Sequence, residues 1–474
     1  MMEAAKAIKT TELEEELEAP KLKFSEKIAL VIGGAPNTFH SQMTQMYLLF
    51  FYTDYMKLNP AHIAALFLII RIFDAIIAPF FGAFIDKVKT PWGKYTPWFV
   101  ILGVPFGITG WLTFTNPNLS PTGNLVYAII TYTLYSVISA VITLPGGAVV
   151  PTVTKRVDER VSLGQFQYLF IMVGALVVAV GAVPIYKALG GGNDAKGFSL
   201  MMAIAGVLTV VVAIFQASKI KERYIAEAKT DDKAPSFKQM IAATFTNKTA
   251  VIIYLGLFGS TLSAGVRSAV QIHFFKYFFH NEGLMAMMGI IGLVPALIGV
   301  ALSHLIIKRI GLKATILTSV VVGLISGPIL LFIPSNNTGL IIFIVISVIT
   351  TLIGSMSGPA SGALMPAAID YTEWKTGLNI NAFMSSISGF TQTFATALSG
   401  AIAAGALSVI GYLPGVEQSS STLFGLKIVL FVLPAIFGTL GISIIWFDLT
   451  EEKQVQIGKE LADRRKHSQT NITI

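Results

Sequence analysis

Long apolar runs constrain the fold of this chain more than any other feature. The runs are long enough to cross about 30 Å of hydrocarbon, and they begin near residues 28, 61, 98, 124, 164, 197, 249, 283, 314, 339, 379 and 422. They are continuous and rich in Gly, Ala and Ser, whereas a β-barrel would show shorter alternating segments. With 54% apolar and 13% charged residues, an ordinary soluble domain is excluded. The sequence therefore predicts an all-α membrane protein with about twelve transmembrane helices.

A hydrophilic stretch near the middle of the chain separates the runs into two sets of six. Two transporter bundles would need such a linker. A weak repeat supports the division, because PGGAVVP near the end of the fourth run is echoed by PASGALMP near the end of the tenth. Pro and Gly at these places would soften a bending helix or let neighbours pack closely, and the sequence leaves both open. The predicted units are a tail (1–27), a six-helix bundle (28–218), a linker (219–248), a second six-helix bundle (249–447) and a second tail (448–474).

The basic residues are distributed unevenly between the two sides of the predicted membrane. With both termini inside, the inner segments hold most of the Lys and Arg residues. The outer segments keep only Lys57, Lys187, Lys196, Lys276 and Lys427, while Arg71 and Arg267 fall inside spans. The positive-inside rule then predicts a multi-pass protein of the cell membrane with both termini cytoplasmic. The net charge of +8 reflects this topology and contact with anionic lipid, not nucleic-acid binding.

Three motifs near the predicted cytoplasmic helix ends carry a family resemblance. They are GAFIDK at residues 82–87, WGKYTPW at 92–98 and DYTEWKTG at 370–377. Together they resemble the glycoside, pentoside and hexuronide:cation symporters, a branch of the major facilitator superfamily that contains the melibiose permease. The resemblance implies the major facilitator fold, with two six-helix bundles around a central cavity, and sugar transport by alternating access. Charged residues of these motifs would form a conformational latch, and those assigned to it are Asp86, Lys87, Lys94, Asp370 and Glu373.

An acid in the middle of the second run suggests a coupling site. Asp74 precedes Asp86 by about 18 Å of helix, near the midplane where transporters place their sites. In the family, the matching aspartate contributes to a cation site together with an acid one turn later, where this chain has Ala78. One carboxylate is a poorer cage for sodium than two, so we predict proton coupling through Asp74, shared with His40 at similar depth. Two alternatives stay open. Asp74 could form a structural pair with Arg71, and His40 could be a buried residue without a coupling role.

Uncharged polar side chains recur on the predicted helices where the family binds sugar. The resemblance places three charged positions of the family at Thr38, Thr143 and Gln167. A polar stripe on the eleventh helix follows helical spacing over residues 381–399. Uncharged donors and acceptors suit a polyhydroxylated ligand, although they also join packed helices. The predicted substrate-binding residues are Asn37, Thr38, Gln42, Tyr135, Thr143, Gln167, Asn381, Ser385, Ser388 and Gln392.

These features favour a secondary active transporter of a sugar or glycoside, coupled to protons rather than to sodium. The alternatives are an uncoupled facilitator of the same substrates and a carrier of lysolipid or another amphiphile. The sequence contains no Gly-rich phosphate loop, HExxH motif or GxSxG elbow, so an enzyme is not expected. We expect no cofactor and no bound metal, with H⁺ as the coupling ion. We further expect a monomer in the lipid bilayer.

Overall fold

The computed structural model describes residues 20–87, 93–154, 156–224, 236–378, 380–448, 453–454 and 456–461. Helices account for nearly all of these residues, and the predicted apolar runs all lie in helices. In chain order the helices are α1 (Phe24–Val31, Gly34–Met43, Thr44–Leu48 and Phe51–Tyr55), α2 (Pro60–Lys87), α3 (Thr96–Thr113), α4 (Pro121–Val141 and Leu144–Val153), α5 (Val157–Leu176, Val177–Gly181 and Ala182–Gly190), α6 (Asp194–Lys219), α7 (Lys248–Phe278), α8 (284–310), α9 (312–331), α10 (Asn337–Thr376), α11 (Asn381–Val409) and α12 (Ser420–Lys427, Ile428–Val432, Leu433–Gly438 and Thr439–Trp446).

Most of these helices are long and apolar enough to cross a membrane. Within the described residues, nine helices meet both conditions, and one of them, Leu284–Leu331, contains both α8 and α9. The kink between the two lies at Gly311, where φ is 81°, a conformation that glycine adopts without steric strain. Large apolar side chains such as Val207 and Leu297 point outward, as contact with lipid requires. The protein is therefore an integral membrane protein with an all-α fold, as predicted.

Several of the membrane spans begin with a side chain that caps the first helical turn. Asn193 accepts a hydrogen bond from the Lys196 backbone N–H at the start of α6, at 3.0 Å. Asn247 accepts one from the Thr249 N–H at the start of α7, at 2.9 Å. These caps satisfy backbone donors that have no partner within the helix. They place each span start next to a polar turn, as the sequence pattern indicates.

The packing differs between the two ends of the helices. We call the end where α1 begins and α12 finishes the terminal face, and the other end, where α1 turns into α2 at residues 56–59, the opposite face. Near the opposite face, one large apolar core joins the first six helices to the last six, from Met43 to Phe431. Near the terminal face the two halves have separate cores, one over residues 22–220 and two over residues 243–461. The halves are therefore packed together at the opposite face and apart at the terminal face.

A short helix that the sequence did not suggest lies in the predicted linker. It spans Phe237–Thr246 and is capped by Ser236, which accepts a hydrogen bond from the Gln239 N–H at 3.4 Å. This linker helix packs against α7 and α10 of the second half. The residue limits of the predicted bundles, linker and tails stay predictions.

Candidate functional site

A central cavity of about 810 Å³ lies between the two halves. Its wall is formed by α1, α2 and α4 from the first half and by α7 and α11 from the second. The polar side chains that line it come from these helices, and they are Ser41, Thr44, Gln45, Asp74, Tyr132, Tyr135, Ser136, Ser139, Thr143, Ser386, Gln392, Thr393, Thr396 and Ser399. A cavity of this size, with apolar walls and several convergent polar groups, is typical of a small-molecule site.

The cavity opens toward the terminal face in this conformation. On that side, a methyl group added at Gly389 of α11 would meet nothing within 4 Å. Toward the opposite face, a methyl group at Gly289 of α8 would lie 2.6 Å from the carbonyl oxygen of Ala179 on α5. Together with the single core at the opposite face, this contact closes one entrance and leaves the other open. In this conformation the cavity is accessible from one side of the molecule.

Asp74 is the acid of the central cavity. Its side chain is only 5% exposed and lines the cavity wall. Ser136 of α4 donates a hydrogen bond to its Oδ2 atom. On the same helix, the Tyr135 hydroxyl accepts a hydrogen bond from Thr44 of α1 at 3.1 Å. A polar contact therefore joins α2 to α4 at the carboxyl group, and a second joins α4 to α1 at the neighbouring residue.

His40 lies inside the first half and does not line the central cavity. Its side chain is fully buried, with Nε2 3.2 Å from the Thr209 hydroxyl of α6. The ring packs on Phe106, with 4.8 Å between ring centroids. Opposite the ring is Gly110, where a methyl group would lie 2.6 Å from Nδ1. The small residue makes room for the imidazole between α1, α3 and α6. This placement favours the packing interpretation of His40, and its predicted coupling role stays untested.

The predicted substrate-binding residues are divided among several places. Tyr135, Thr143 and Gln392 line the central cavity. Three others line a cavity of about 290 Å³ within the first half, which Thr143 also reaches, and they are Asn37, Thr38 and Gln167. Of the described cavities, none has Gln42, Asn381 or Ser385 in its wall.

The polar stripe of α11 has different surroundings along its length. Near the terminal face, Ser385 lies 3.3 Å from Asn381 of the same helix. In the middle, Ser388 and Gln392 line a cavity of about 700 Å³ within the second half, which we call the second-half cavity. Toward the opposite face, buried Ser399 donates to the Thr396 carbonyl at 2.6 Å and packs beside α7. One stripe thus serves both cavity lining and helix packing.

The predicted latch is only partly within the described residues. The side chains of Asp86 and Lys87 lie outside them. The Lys94 backbone N–H donates to Glu222 at 3.0 Å, which ties the turn before α3 to the segment after α6. Asp370 and Glu373 lie in the last turns of α10, at the terminal face. The role of these residues as a latch stays a prediction.

A buried polar cluster joins the two halves at the opposite face, and the sequence did not single it out. We call it the gate cluster. Its centre is Asp54 at the end of α1, which is 3% exposed. Lys276 of α7 donates to Asp54 at 3.0 Å, and Tyr412, which follows α11, donates at 2.5 Å. Tyr277 also donates to this carboxylate, and His273 Nε2 lies 3.9 Å from it. Four side chains of the second half thus surround one carboxylate of the first.

A second acid extends this closure. Glu282, between α7 and α8, accepts a hydrogen bond from the Tyr186 hydroxyl of α5 at 2.8 Å. It also lies 3.1 Å from Lys187 and 3.5 Å from Lys276. Charge-assisted hydrogen bonds of this kind are stronger than neutral ones when they are buried. The opposite face is therefore held shut by polar contacts as well as by apolar packing.

The fold and the central cavity define a transporter of the major facilitator type rather than an enzyme. The family model described as MFS/sugar transport protein matches residues 30–450, so the chain belongs to this family. The match confirms the resemblance to the glycoside, pentoside and hexuronide:cation symporters.

Curated relatives are similar over nearly the full length of the chain. The uncharacterized symporter YnaJ of Bacillus subtilis is 30% identical, over 94% of this chain and 96% of that protein. The isoprimeverose transporter of Lactiplantibacillus pentosus is 28% identical, over 94% and 93%. A putative sulfoquinovose importer of Salmonella typhimurium is 27% identical, over 94% of each.

Solved structures show the same fold at low sequence identity. A bacterial homologue of the human lysosomal transporter Spinster, solved in an inward-facing and unoccupied conformation, gives a TM-score of 0.63 at 11% identity, covering 92% of this chain and 99% of that one. A D-xylose-proton symporter gives 0.57 at 15% identity, covering 88% and 97%. The chain is thus a membrane transporter in a family whose members include symporters and importers of sugars.

Proposed function

We propose that this protein is a proton-coupled symporter that moves a sugar or glycoside across the cell membrane by alternating access. One observation carries the proposal: Asp74 is the one charged side chain among the described residues that line the cavity between the two halves. A carboxyl group that can bind and release a proton beside the substrate supplies the coupling. Among the cavity-lining residues that the structure describes, no second acid accompanies it, and a lone carboxylate is a poor sodium cage.

The orientation in the membrane is also part of the proposal. The terminal face is the end where α1 begins and α12 finishes, and the sequence assigns most of the Lys and Arg residues to the segments at that end, so the positive-inside rule makes it cytoplasmic. The cavity then opens inward in this structure, and the gate cluster lies at the outer side. Substrate would enter from outside when the gate cluster separates and the halves close at the terminal face.

The cavity supports a polyhydroxylated substrate. Hydroxyl and amide groups dominate its polar lining, and aromatic rings such as Tyr132 and Tyr135 offer faces for a sugar ring. The names of the relatives, an isoprimeverose transporter and a putative sulfoquinovose importer, fit this chemistry.

Uptake screening with purified protein in proteoliposomes tests the substrate class. The panel contains glycosides, pentosides, uronides and a lysolipid, each offered with and without an imposed pH gradient. We expect uptake of a sugar derivative that rises with the pH gradient. Uptake of the lysolipid alone would contradict the sugar assignment, and uptake that no gradient increases would make the protein a facilitator.

Gln392 gives a direct test of substrate contact in the cavity. Within the described residues, its side-chain amide makes no hydrogen bond, and it faces both the central and the second-half cavities. We expect Gln392→Ala to weaken sugar binding by about 1–3 kcal/mol, because a ligand hydroxyl is left unpaired in a site away from bulk water. The measurement is the dissociation constant by titration of purified protein.

Thr391→Val is the matched control for this variant. Thr391 precedes Gln392 on α11, but its hydroxyl donates to the Ile387 carbonyl at 2.7 Å and is satisfied within the helix. We expect this variant to bind sugar like the unchanged protein. Equal affinities for the Gln392→Ala variant and the control would assign this part of the stripe to helix packing.

A further inference from the structure

Arg267 is a cation within a membrane span that the transport mechanism above does not use. It lies in α7, 11 residues before the helix ends at Phe278, about 16 Å along the helix axis. Its side chain lines the second-half cavity and also a smaller cavity of about 250 Å³. Arginine at this depth is rare, and it marks a functional site unless it is paired.

Among the residues that the structure describes, none pairs with the Arg267 guanidinium. In the part of the chain that the structure describes, no hydrogen bond, ion pair or ring contact involves its guanidinium, and no acidic side chain lines either of its cavities. Lys276 of the same helix, by contrast, pairs with Asp54 at 3.0 Å. A guanidinium has five N–H donors and keeps its charge, so it needs an anion or several acceptors in this environment.

The groups around Arg267 suit an anion that also carries hydroxyl groups. Ser263 lies one turn before it on α7 and lines the second-half cavity, and Gln271 lies one turn after it and lines the smaller cavity. Thr350 of α10 lines both. Ser263 and Gln271 offer neutral donors without a competing negative charge. The Thr350 hydroxyl donates to the Ser347 carbonyl at 3.1 Å and can accept a hydrogen bond from a ligand hydroxyl. Arginine binds carboxylate, sulfonate and similar groups through two parallel hydrogen bonds, which gives strength and direction.

The second-half cavity adjoins the central cavity through Gln392. Gln392 lines both cavities, so it is the residue beside which a ligand of the central cavity would reach toward Arg267. The combined space exceeds what a monosaccharide ring fills. It thus offers room for a polyhydroxylated ring on one side and a charged substituent on the other.

We propose that Arg267 binds the carboxylate or sulfonate group of an anionic sugar derivative, whose hydroxyl-bearing part occupies the central cavity near Gln392. This inference rests on the proposed transport function and deepens it, because it assigns charge to the substrate. Neutral sugars lack the group that pairs with the guanidinium, and their binding leaves Arg267 without a partner. The site therefore selects anionic over neutral substrates of the same ring.

Matched ligand pairs test the proposal with purified protein in lipid nanodiscs. The probes are methyl β-D-glucuronide against methyl β-D-glucoside, and methyl α-sulfoquinovoside against methyl α-D-glucoside, with dissociation constants measured by titration. We expect an anionic probe to bind at least about tenfold more tightly than its neutral twin. Arg267→Gln should weaken that anionic probe about 10- to 100-fold and change the neutral twin less than about threefold. A preference within the glucuronide pair would indicate a carboxylate substrate, and a preference within the sulfoquinovoside pair would indicate a sulfonate substrate.

Two further variants complete the experiment. Arg267→Lys keeps the charge but loses the two-pronged geometry, so we expect an intermediate loss confined to the anionic probe, and it replaces Arg267→Gln if that variant does not fold. Lys196→Gln removes an exposed positive charge at the start of α6 and should alter neither affinity.

The outcomes separate this inference from the proposed function. Tighter binding of the neutral twins, or equal losses for both members of a pair in Arg267→Gln, would overturn the anion assignment while leaving sugar transport in place. The second result would give Arg267 a role in packing or in pairing with Asp74 in another conformation. Failure of every probe to bind the unchanged protein would overturn both proposals.

Discussion

Replacing Asp74 by Asn is expected to abolish concentrative uptake of the sugar while leaving exchange across the membrane partly intact. The carboxyl group is the one acid in the described wall of the central cavity, and Ser136 of α4 donates a hydrogen bond to it. With one proton moved per sugar, each pH unit of gradient supports about tenfold accumulation. Asparagine cannot carry the proton, so the accumulation ratio should fall to about one at any pH gradient. The measurement is sugar accumulation in proteoliposomes with an imposed pH gradient.

Two controls accompany the Asp74→Asn variant. Asp74→Glu keeps an ionisable carboxyl group and should retain part of the accumulation. Glu417→Gln removes an exposed acid from the connection between α11 and α12 and should behave like the unchanged protein. An Asp74→Asn variant that still accumulates sugar in proportion to the pH gradient would show that the coupling proton is carried elsewhere, with His40 the first residue to examine.

The second large effect is expected at the gate cluster. Asp54→Asn removes the charge that Lys276, Tyr277 and Tyr412 contact. The Asn oxygen still accepts hydrogen bonds, so we expect a net loss equal to about one charge-assisted hydrogen bond, about 1.5–3 kcal/mol. The closed opposite face should become about 10- to 100-fold less favoured relative to the open one. Outward opening would then be populated without substrate.

Cysteine labelling measures this shift. The chain has no cysteine, so Ser139→Cys places a single thiol in the central cavity. In intact cells, a membrane-impermeant maleimide should label it slowly in the otherwise unchanged protein and at least about tenfold faster with Asp54→Asn added. Lys187→Gln is the matched control. Lys187 pairs with Glu282, but it is 47% exposed, and exposed ion pairs contribute only about 0–1 kcal/mol. We therefore expect this variant to change the labelling rate little. If Asp54→Asn leaves the labelling rate unchanged, the gate cluster does not hold the opposite face closed. If Ser139→Cys is labelled fast without Asp54→Asn, the cavity opens to the outside and the proposed orientation is wrong.

The helices could be predicted from the sequence because the bilayer sets a minimum length for an apolar span. The direction of each side chain was harder to predict. His40 points into the first half, where Gly110 makes room for it. The sequence gives the position of a residue along its helix and shows which residues share a helix face. It does not give the rotation of the helix about its axis, so it does not show which neighbour that face contacts.

The gate cluster could not be predicted because its charges are more than 200 residues apart in the chain. Asp54 and Lys276 are separated by 222 residues, and in the sequence each is a single charge at the end of an apolar run. A signal was nevertheless present: both lie at the same end of the first helix of their half. In a protein built of two related halves, charges of opposite sign at equivalent helix ends indicate a contact across the interface.

Gradient-driven uptake by the purified protein is the most direct test of proton coupling through Asp74. Proteoliposomes are given the sugar identified by screening, with either an inward proton gradient or an inward sodium gradient of matched size and no membrane potential. We predict accumulation above equilibrium with the proton gradient, none with the sodium gradient, and none with either gradient in Asp74→Asn. Accumulation driven by sodium at equal pH would contradict the account, because uncharged oxygens around Asp74 would then complete an ion cage.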